Sequence, residues 1–280
     1  MTACTIGVFD SGLGGLTCVR EIFRQNPSAS VIYVADIAHV PYGGRPLAEV
    51  KQFALEITRY LVGQEADAVL MACNMSSAVA LQDARRQHPE VPVFGVIEAG
   101  VRSAARLGRS QIGVLATAGT VMSRGYVQAI EAAAPGTKVL QTACPRFVPL
   151  IESGQLDGRE VEEAARDYLQ PGLKAGVQVF ILGCTHYPLL TPTLMRLTSS
   201  DVVFVDPAAE AVTETLAAIH HTGGPRRANR FILTAPSETF RPVGARFLGR
   251  DLPELELVGW NSNGQLGAAA VQASSCAAAG

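Results

Sequence analysis

The feature that most limits what this chain can fold into is a regular alternation. Short apolar runs are separated by stretches whose apolar residues recur every three or four positions. Runs rich in β-branched residues at 5–9, 31–35, 68–72, 91–96, 111–116, 177–182, 202–205 and 231–234 predict strands. Between them, Leu47, Val50, Ala54, Ile57 and Leu61 predict one face of a helix, and Val212, Leu216 and Ile219 predict another. Strands this apolar are buried on both faces, and strands joined through helices run parallel. The predicted class is therefore α/β, with mostly parallel sheet covered by helices.

A weak internal repeat divides the pattern. Ile6-Gly-Val-Phe-Asp-Ser-Gly12 is echoed by Ile112-Gly-Val-Leu-Ala-Thr-Ala118, and Val69-Leu-Met-Ala-Cys73 by Phe180-Ile-Leu-Gly-Cys184. Each half then carries a cysteine just past a strand's C-terminal end, where open α/β sheets bind their ligands. Strand-turn-helix units share such patterns by chance, so the repeat gains force only from what its cysteines do.

Composition excludes several function classes. With 48% hydrophobic and 17% charged residues in 280, the chain is globular and not disordered. A net charge of −2 and a pI near 6.2 supply no field for nucleic-acid or membrane partners. The densest basic spot, Arg226, Arg227 and Arg230, reads as a solvated loop. Residues 1–10 lack a signal peptide's basic start and apolar stretch, and no run reaches the roughly 18 apolar residues of a membrane span. The six cysteines (4, 18, 73, 144, 184 and 276) form no Cys-x-x-Cys pair and no paired Cys/His ligand spacing. That points away from zinc and from a disulfide framework. A soluble cytoplasmic protein with reduced thiols and no metal is expected, ending in an Ala/Ser-rich flexible tail at 268–280.

Three segments can carry chemistry. Asp10-Ser-Gly-Leu-Gly-Gly15 follows a strand and precedes the helical pattern Leu16, Val19, Phe23. Its glycines permit a sharp turn and close approach to a small anion. No Gly-Lys-Ser/Thr follows, and Thr17 stands at the third glycine position of a dinucleotide fingerprint, so neither phosphate-binding motif is present. Capping of the helix by Asp10 or Ser11 explains these side chains equally well.

Ala72-Cys73-Asn74-Met75-Ser76-Ser77 sets a thiol between an apolar strand and polar residues. At a helix N-terminus the dipole favours a thiolate by about 0.3–1 kcal/mol, and Asn74 offers donors to a carboxylate. A free cysteine chosen at random is more often a small buried hydrophobe. Gly183-Cys184-Thr185-His186-Tyr187-Pro188 repeats the context and adds an imidazole two residues from the thiol. A Cys-His hydrolase would use this pair and leave Cys73 idle. Two thiols at equivalent strand ends suit racemisation better, because one base must remove an α-proton while an acid on the opposite face returns one. A thiol pKa near about 8.5 can be reached from either side at neutral pH. No lysine stands in a recognisable pyridoxal-phosphate setting, so direct deprotonation without a cofactor fits.

Longer blocks make the reading specific. They are Ile6 to Thr17, Val40-Pro-Tyr-Gly43, Ala72-Cys-Asn74, Gly95-Val-Ile-Glu98, Gly113 to Thr120, Ala143-Cys-Pro-Arg-Phe-Val-Pro-Leu-Ile-Glu152 and Leu182-Gly-Cys-Thr-His-Tyr-Pro-Leu-Leu190. In residues, order and spacing they resemble the glutamate racemase family, within the wider aspartate/glutamate racemase superfamily. The resemblance implies two pseudo-symmetric α/β domains with the active site in the cleft between them. The first would comprise residues 1–97 with 208–267, the second 98–207. It implies that Cys73 and Cys184 are the acid/base thiols, serving the D- and the L-enantiomer respectively. Asp10 and His186 would assist them, with Glu152 beside His186. Ser11, Tyr42, Gly43, Asn74, Thr117, Thr120 and Thr185, with the residue at Met75, would bind substrate. No cofactor, a homodimer, and a supply of D-glutamate for peptidoglycan are implied in the same way.

Four positions depart from the family pattern. Met75-Ser76-Ser77 stands where Thr-Ala-Ser is usual, which removes a donor hydroxyl at Met75. Ala99 and Pro46 replace a usual proline and a usual hydroxyl residue, away from the thiols. Met75 motivates the nearest alternative, a racemase of the same fold acting on aspartate or another amino acid. A non-catalytic amino-acid-binding paralogue is a different class, and a paired acid/base set is superfluous for binding alone.

Overall fold

The computed structural model describes residues 4–219 and 227–268. All eight expected strands form: β1 (Thr5–Asp10), β2 (Ser30–Ala35), β3 (Ala68–Met71), β4 (Val93–Gly95), β5 (Gln111–Ala116), then β6 (Lys138–Ala143), β7 (Val179–Gly183), β8 (Val203–Val205) and β9 (Arg230–Leu233), of which β6 was not expected. Three further unexpected strands are β10 (Leu255–Leu257), β11 (Gly259–Trp260) and β12 (Leu266–Ala268). β6 escapes an apolar-run search because Lys138, Gln141 and Thr142 interrupt it and most of its length is half-buried at a sheet edge. β4 is shorter than the apolar run because Pro92 has no N–H to give a ladder.

The helices are α1 (Leu16–Gln25), α2 (Leu47–Gly63), α3 (Asn74–Gln87), α4 (Val96–Ala105), α5 (Ala118–Ser123) and α6 (Gly125–Ala133). They continue with α7 (Phe147–Glu152), α8 (Arg159–Lys174), α9 (Thr191–Arg196), α10 (Pro207–Ala217) and α11 (Phe240–Leu248). The expected faces hold in α2, where Val50, Ala54, Ile57 and Leu61 are buried. α10 stops at Ala217, so Ile219 lies beyond the helix that its spacing had placed it in. The expected cap of α1 is also corrected: its N-cap is Gly15, and no side chain bonds there.

Among the described residues, two parallel sheets carry the fold, in the orders β10-β9-β2-β1-β3-β4 and β6-β5-β7-β8. The segments β2-β1-β3-β4 and β6-β5-β7-β8 have one topology. Their registers agree as well. Gly7 lies opposite Val69 in the first sheet, and Gly113 lies opposite Phe180 in the second. These are the positions that the sequence repeat pairs, so the repeat is structural.

α10 links the halves, packing on α1 and α4 and touching β3, β4 and β7. Arg102–Glu214 and Arg106–Glu210 ion pairs fix it to α4. The basic spot proves to be paired and not merely solvated: Arg227 bonds Glu65, and Arg230 opens β9 against Glu256. Arg226 and the tail from residue 269 onward lie outside the described residues. No described helix is long and apolar enough to cross a membrane.

Gly113 is demanded by packing. A Cβ there would stand 2.5 Å from Cδ1 of the buried Phe180 ring. Gly113→Ala is expected to cost about 1–3 kcal/mol, seen as a lower urea midpoint with an unchanged slope. Adding Phe180→Leu should make the double variant less destabilised than the sum of the single ones; strict additivity would refute the packing conflict.

Candidate active site

The C-terminal ends of β1, β3, β5 and β7 open on one cavity of about 520 Å³. Each sheet contributes a thiol at the end of an equivalent strand. β3 ends at Met71 and Cys73 follows as the N-cap of α3; β7 ends at Gly183 and Cys184 follows in a turn. Both cysteines are buried yet line the cavity. The contexts differ more than the sequence suggested, since Cys184 leads into a 3-10 turn at Tyr187–Leu190 and not into an α-helix.

The other residues singled out in the sequence stand around the same space: Asp10, Ser11, Tyr42, Gly43, Asn74, Met75, Thr117, Thr120, Glu152, Thr185 and His186. The loop after β1 and the turn after β7 meet directly. Thr185 Oγ1 donates to Asp10 Oδ1 at 3.4 Å, and a Cβ on Gly14 would stand 2.7 Å from His186 Nδ1 and would overlap the Thr185 hydroxyl. A glycine at 14 is therefore what lets the halves close at this point. Across the cavity, Met75 lies against Gly119 of α5.

His186 sits between two partners, with Nδ1 3.8 Å from Cys184 Sγ and Nε2 2.9 Å from Glu152 Oε1. Burial alone would push this imidazole down. Its bonds to Cys184 and Glu152, with the charges of Cys184 and Asp10, prevail and raise it to about 10. At neutral pH it is an imidazolium that can donate at both nitrogens. Burial pushes the Asp10 carboxyl up, against the charge of His186, the amides of Gly12 and Gly15 and the Thr185 hydroxyl. Burial and then the nearby Asp10 push the Cys73 thiol up to about 12. The expected advantage of a helix N-terminus is present in the Met75 and Ser76 amides, but it is too small to offset removal from water.

Three supports were invisible in the sequence. Tyr126 donates its hydroxyl to Asn74 Oδ1 at 2.7 Å, which fixes the amide and leaves its Nδ2 donors free of that bond. Tyr42 donates to the buried Asp36 carboxylate, which also accepts from Thr234 and Trp260. Tyr33 donates to the Gly12 carbonyl. Tyr126 with Asn74, Tyr33 with Gly12, and Asp36 with Thr234 and Trp260 join residues far apart in sequence, so no local spacing marks them; Tyr42 and Asp36 are near in sequence but lie outside any regular repeat. Cys144 lines the cavity as well but is wholly buried, its Sγ 3.4 Å from the Thr142 carbonyl. Among the described residues, the cavity lining contains no lysine or arginine. A carboxylate entering it would meet neutral donors: Ser11, Asn74, Thr117, Thr120, Thr185 and backbone amides.

Residues 6–215 match the family described as Asp/Glu/Hydantoin racemase. The chain is 48% identical over 214 residues to a glutamate racemase of Gloeobacter violaceus, covering 76% of this chain and 80% of that one. It is 41% identical over 249 residues to a glutamate racemase of Microcystis aeruginosa, covering 87% of each. The crystal structure of the Francisella tularensis glutamate racemase in complex with D-glutamate superposes with a TM-score of 0.84 at 35% identity, over 91% of this chain and 97% of that one.

The raised His186 value has a defined sign. The imidazolium's contribution to stability is fully present below about pH 6.5, its ordinary value, and is lost as pH rises through about 10. Glu152→Gln removes the charged acceptor, so the His186 titration followed by NMR should move down toward its ordinary value. The variant's stability deficit should be largest at acidic to neutral pH and fade in alkali. A titration unmoved by the substitution would show that Glu152 does not hold the charge.

Proposed function

This chain belongs to the Asp/Glu/Hydantoin racemase family, and we propose that it interconverts L- and D-glutamate, with Cys73 and Cys184 exchanging protons with the two faces of the α-carbon. The observation that carries the reading is the placement of two buried thiols, one from each of two equivalent sheets, on a single cavity. A binding protein has no use for that pair; a two-base racemase requires it.

In this scheme one cysteine enters the reaction as thiolate and the other as thiol. The thiolate removes the α-proton and becomes a thiol, while the substrate carries the electron pair as a carbanion delocalised into its carboxylate. The opposite thiol gives its proton to the other face and becomes the thiolate. Cys73 would take the proton of the D-enantiomer and Cys184 that of the L-enantiomer. The His186 imidazolium, held by Glu152, stabilises the Cys184 thiolate; Asp10 receives the substrate ammonium. Ser11, Tyr42, Gly43, Asn74, Thr117, Thr120 and Thr185 hold the two carboxylates, and Met75 bounds the space beside Cys73. The chemistry asks for no cofactor. Residues 1–97 with 208–267 and residues 98–207 are the two domains that close over the substrate. A cytoplasmic homodimer supplying D-glutamate to peptidoglycan completes the reading.

Purified protein incubated in deuterated water with each enantiomer of glutamate and of aspartate tests it. α-Deuterium incorporation and loss of optical activity are expected with glutamate. No exchange with any of the four would sink the racemase reading, and exchange with aspartate alone would transfer the assignment to an aspartate racemase shaped by Met75. Cys73→Ala and Cys184→Ala should each lower kcat/KM in both directions by at least about 100-fold; full activity in either would refute the two-thiol scheme.

A further inference from the structure

Ser76 belongs to no part of the mechanism above, and its environment is unusual. It occupies the third position of α3, with Cys73 as the N-cap, and its side chain is fully buried. Its hydroxyl is a buried polar group with no hydrogen-bond partner. Such a group is costly unless it serves some state of the protein. Cys73 likewise makes no capping bond through its side chain. Ser76 nevertheless stands in the first helical turn after Cys73, and its hydroxyl and amide, with the Met75 amide, favour the thiolate.

We propose that Ser76 is a positioning residue for the reaction, its hydroxyl held unpaired beside Cys73 in order to donate to the sulfur when it becomes a thiolate. This rests on the reading of Cys73 as an acid/base thiol. A neutral thiol is a weak acceptor, so the hydroxyl gains little from it; a thiolate is a strong one, and the bond forms as charge arrives. Cys184 is served by an imidazolium and a carboxylate. The titratable groups that act on Cys73 among the described residues oppose its charge or are neutral: the Asp10 carboxyl at the end of β1, Tyr33 on β2 and Tyr42 after it. The helix end and Ser76 are what offset them. Each thiol must be reached as a thiolate in one direction of the reaction, and Ser76 supplies part of what Cys73 lacks in a charged partner.

Ser76→Ala keeps the helix and removes only the hydroxyl, and a thermal melt confirms the fold. The direct readout is alkylation by iodoacetamide under conditions where the thiol is only partly ionised, quantified separately on the Cys73 and Cys184 peptides by mass spectrometry. Loss of one such bond should raise the Cys73 pKa by about one unit, a tenfold smaller thiolate fraction. Each remaining thiolate is about threefold more nucleophilic, so the Cys73 rate should fall about threefold while the Cys184 rate stays constant. Racemisation kcat/KM at neutral pH should fall by about three- to tenfold, equally in both directions because enantiomers have equal free energies, and the acid limb of its pH profile should move up. An unchanged Cys73 rate, or an equal fall at Cys184, would overturn the proposal. Absence of α-proton exchange in the wild-type protein would instead remove the acid/base reading, and the alkylation result would still report whether Ser76 serves the Cys73 thiolate.

Discussion

Charge held in a buried cleft, against the preference of water for it, is the constraint on which the rest of the structure depends. Cys73, Cys184, Asp10 and His186 are each almost fully removed from solvent, and burial opposes the ionised form of Cys73, Asp10 and His186. The site answers with partners of opposite sign or with donors. His186 holds its proton because Glu152 and Cys184 flank it. Asp10 keeps some of its charge through His186, two amides and Thr185. Two of these partnerships, His186 with Asp10 and Thr185 with Asp10, cross between the two sheets, so the electrostatics of the site require both halves to be closed on one another.

That closure follows from simple geometry. Gly14 has no side chain because Thr185 and His186 occupy the space where one would be. Gly119 yields in the same way to Met75. At these points backbone from one half meets side chains from the other at distances only glycine allows. The arrangement buries the thiols while a cavity large enough for an amino acid stays open between the strand ends.

Much of the fold was legible in the sequence because the sheets are parallel and central. A strand covered on both faces must be apolar throughout, and β1, β3, β5 and β7, which carry the site, read that way. The strands that escaped notice, β6 and β10 to β12, lie at sheet edges or in a hairpin, where polar residues such as Lys138 and Glu256 are tolerated and the pattern is diluted. Asp10 and Ser11 looked like caps for α1; in the structure Gly15 starts that helix, because the Asp10 carboxylate is turned inward to the Gly12 amide and the cleft.

The sequence by itself determined the alternation of strands and helices, the duplicated units, and the two cysteines at their equivalent ends. These are local facts, set by apolar periodicity and by residue order along the chain. Tertiary structure decided what the cysteines became. The Cys73 thiol is governed by burial more than by its helix, Cys184 by an imidazolium anchored on Glu152, and the Asn74 amide by Tyr126. Desolvation and long-range hydrogen bonds depend on which distant segments pack together, and no spacing within a single motif records that.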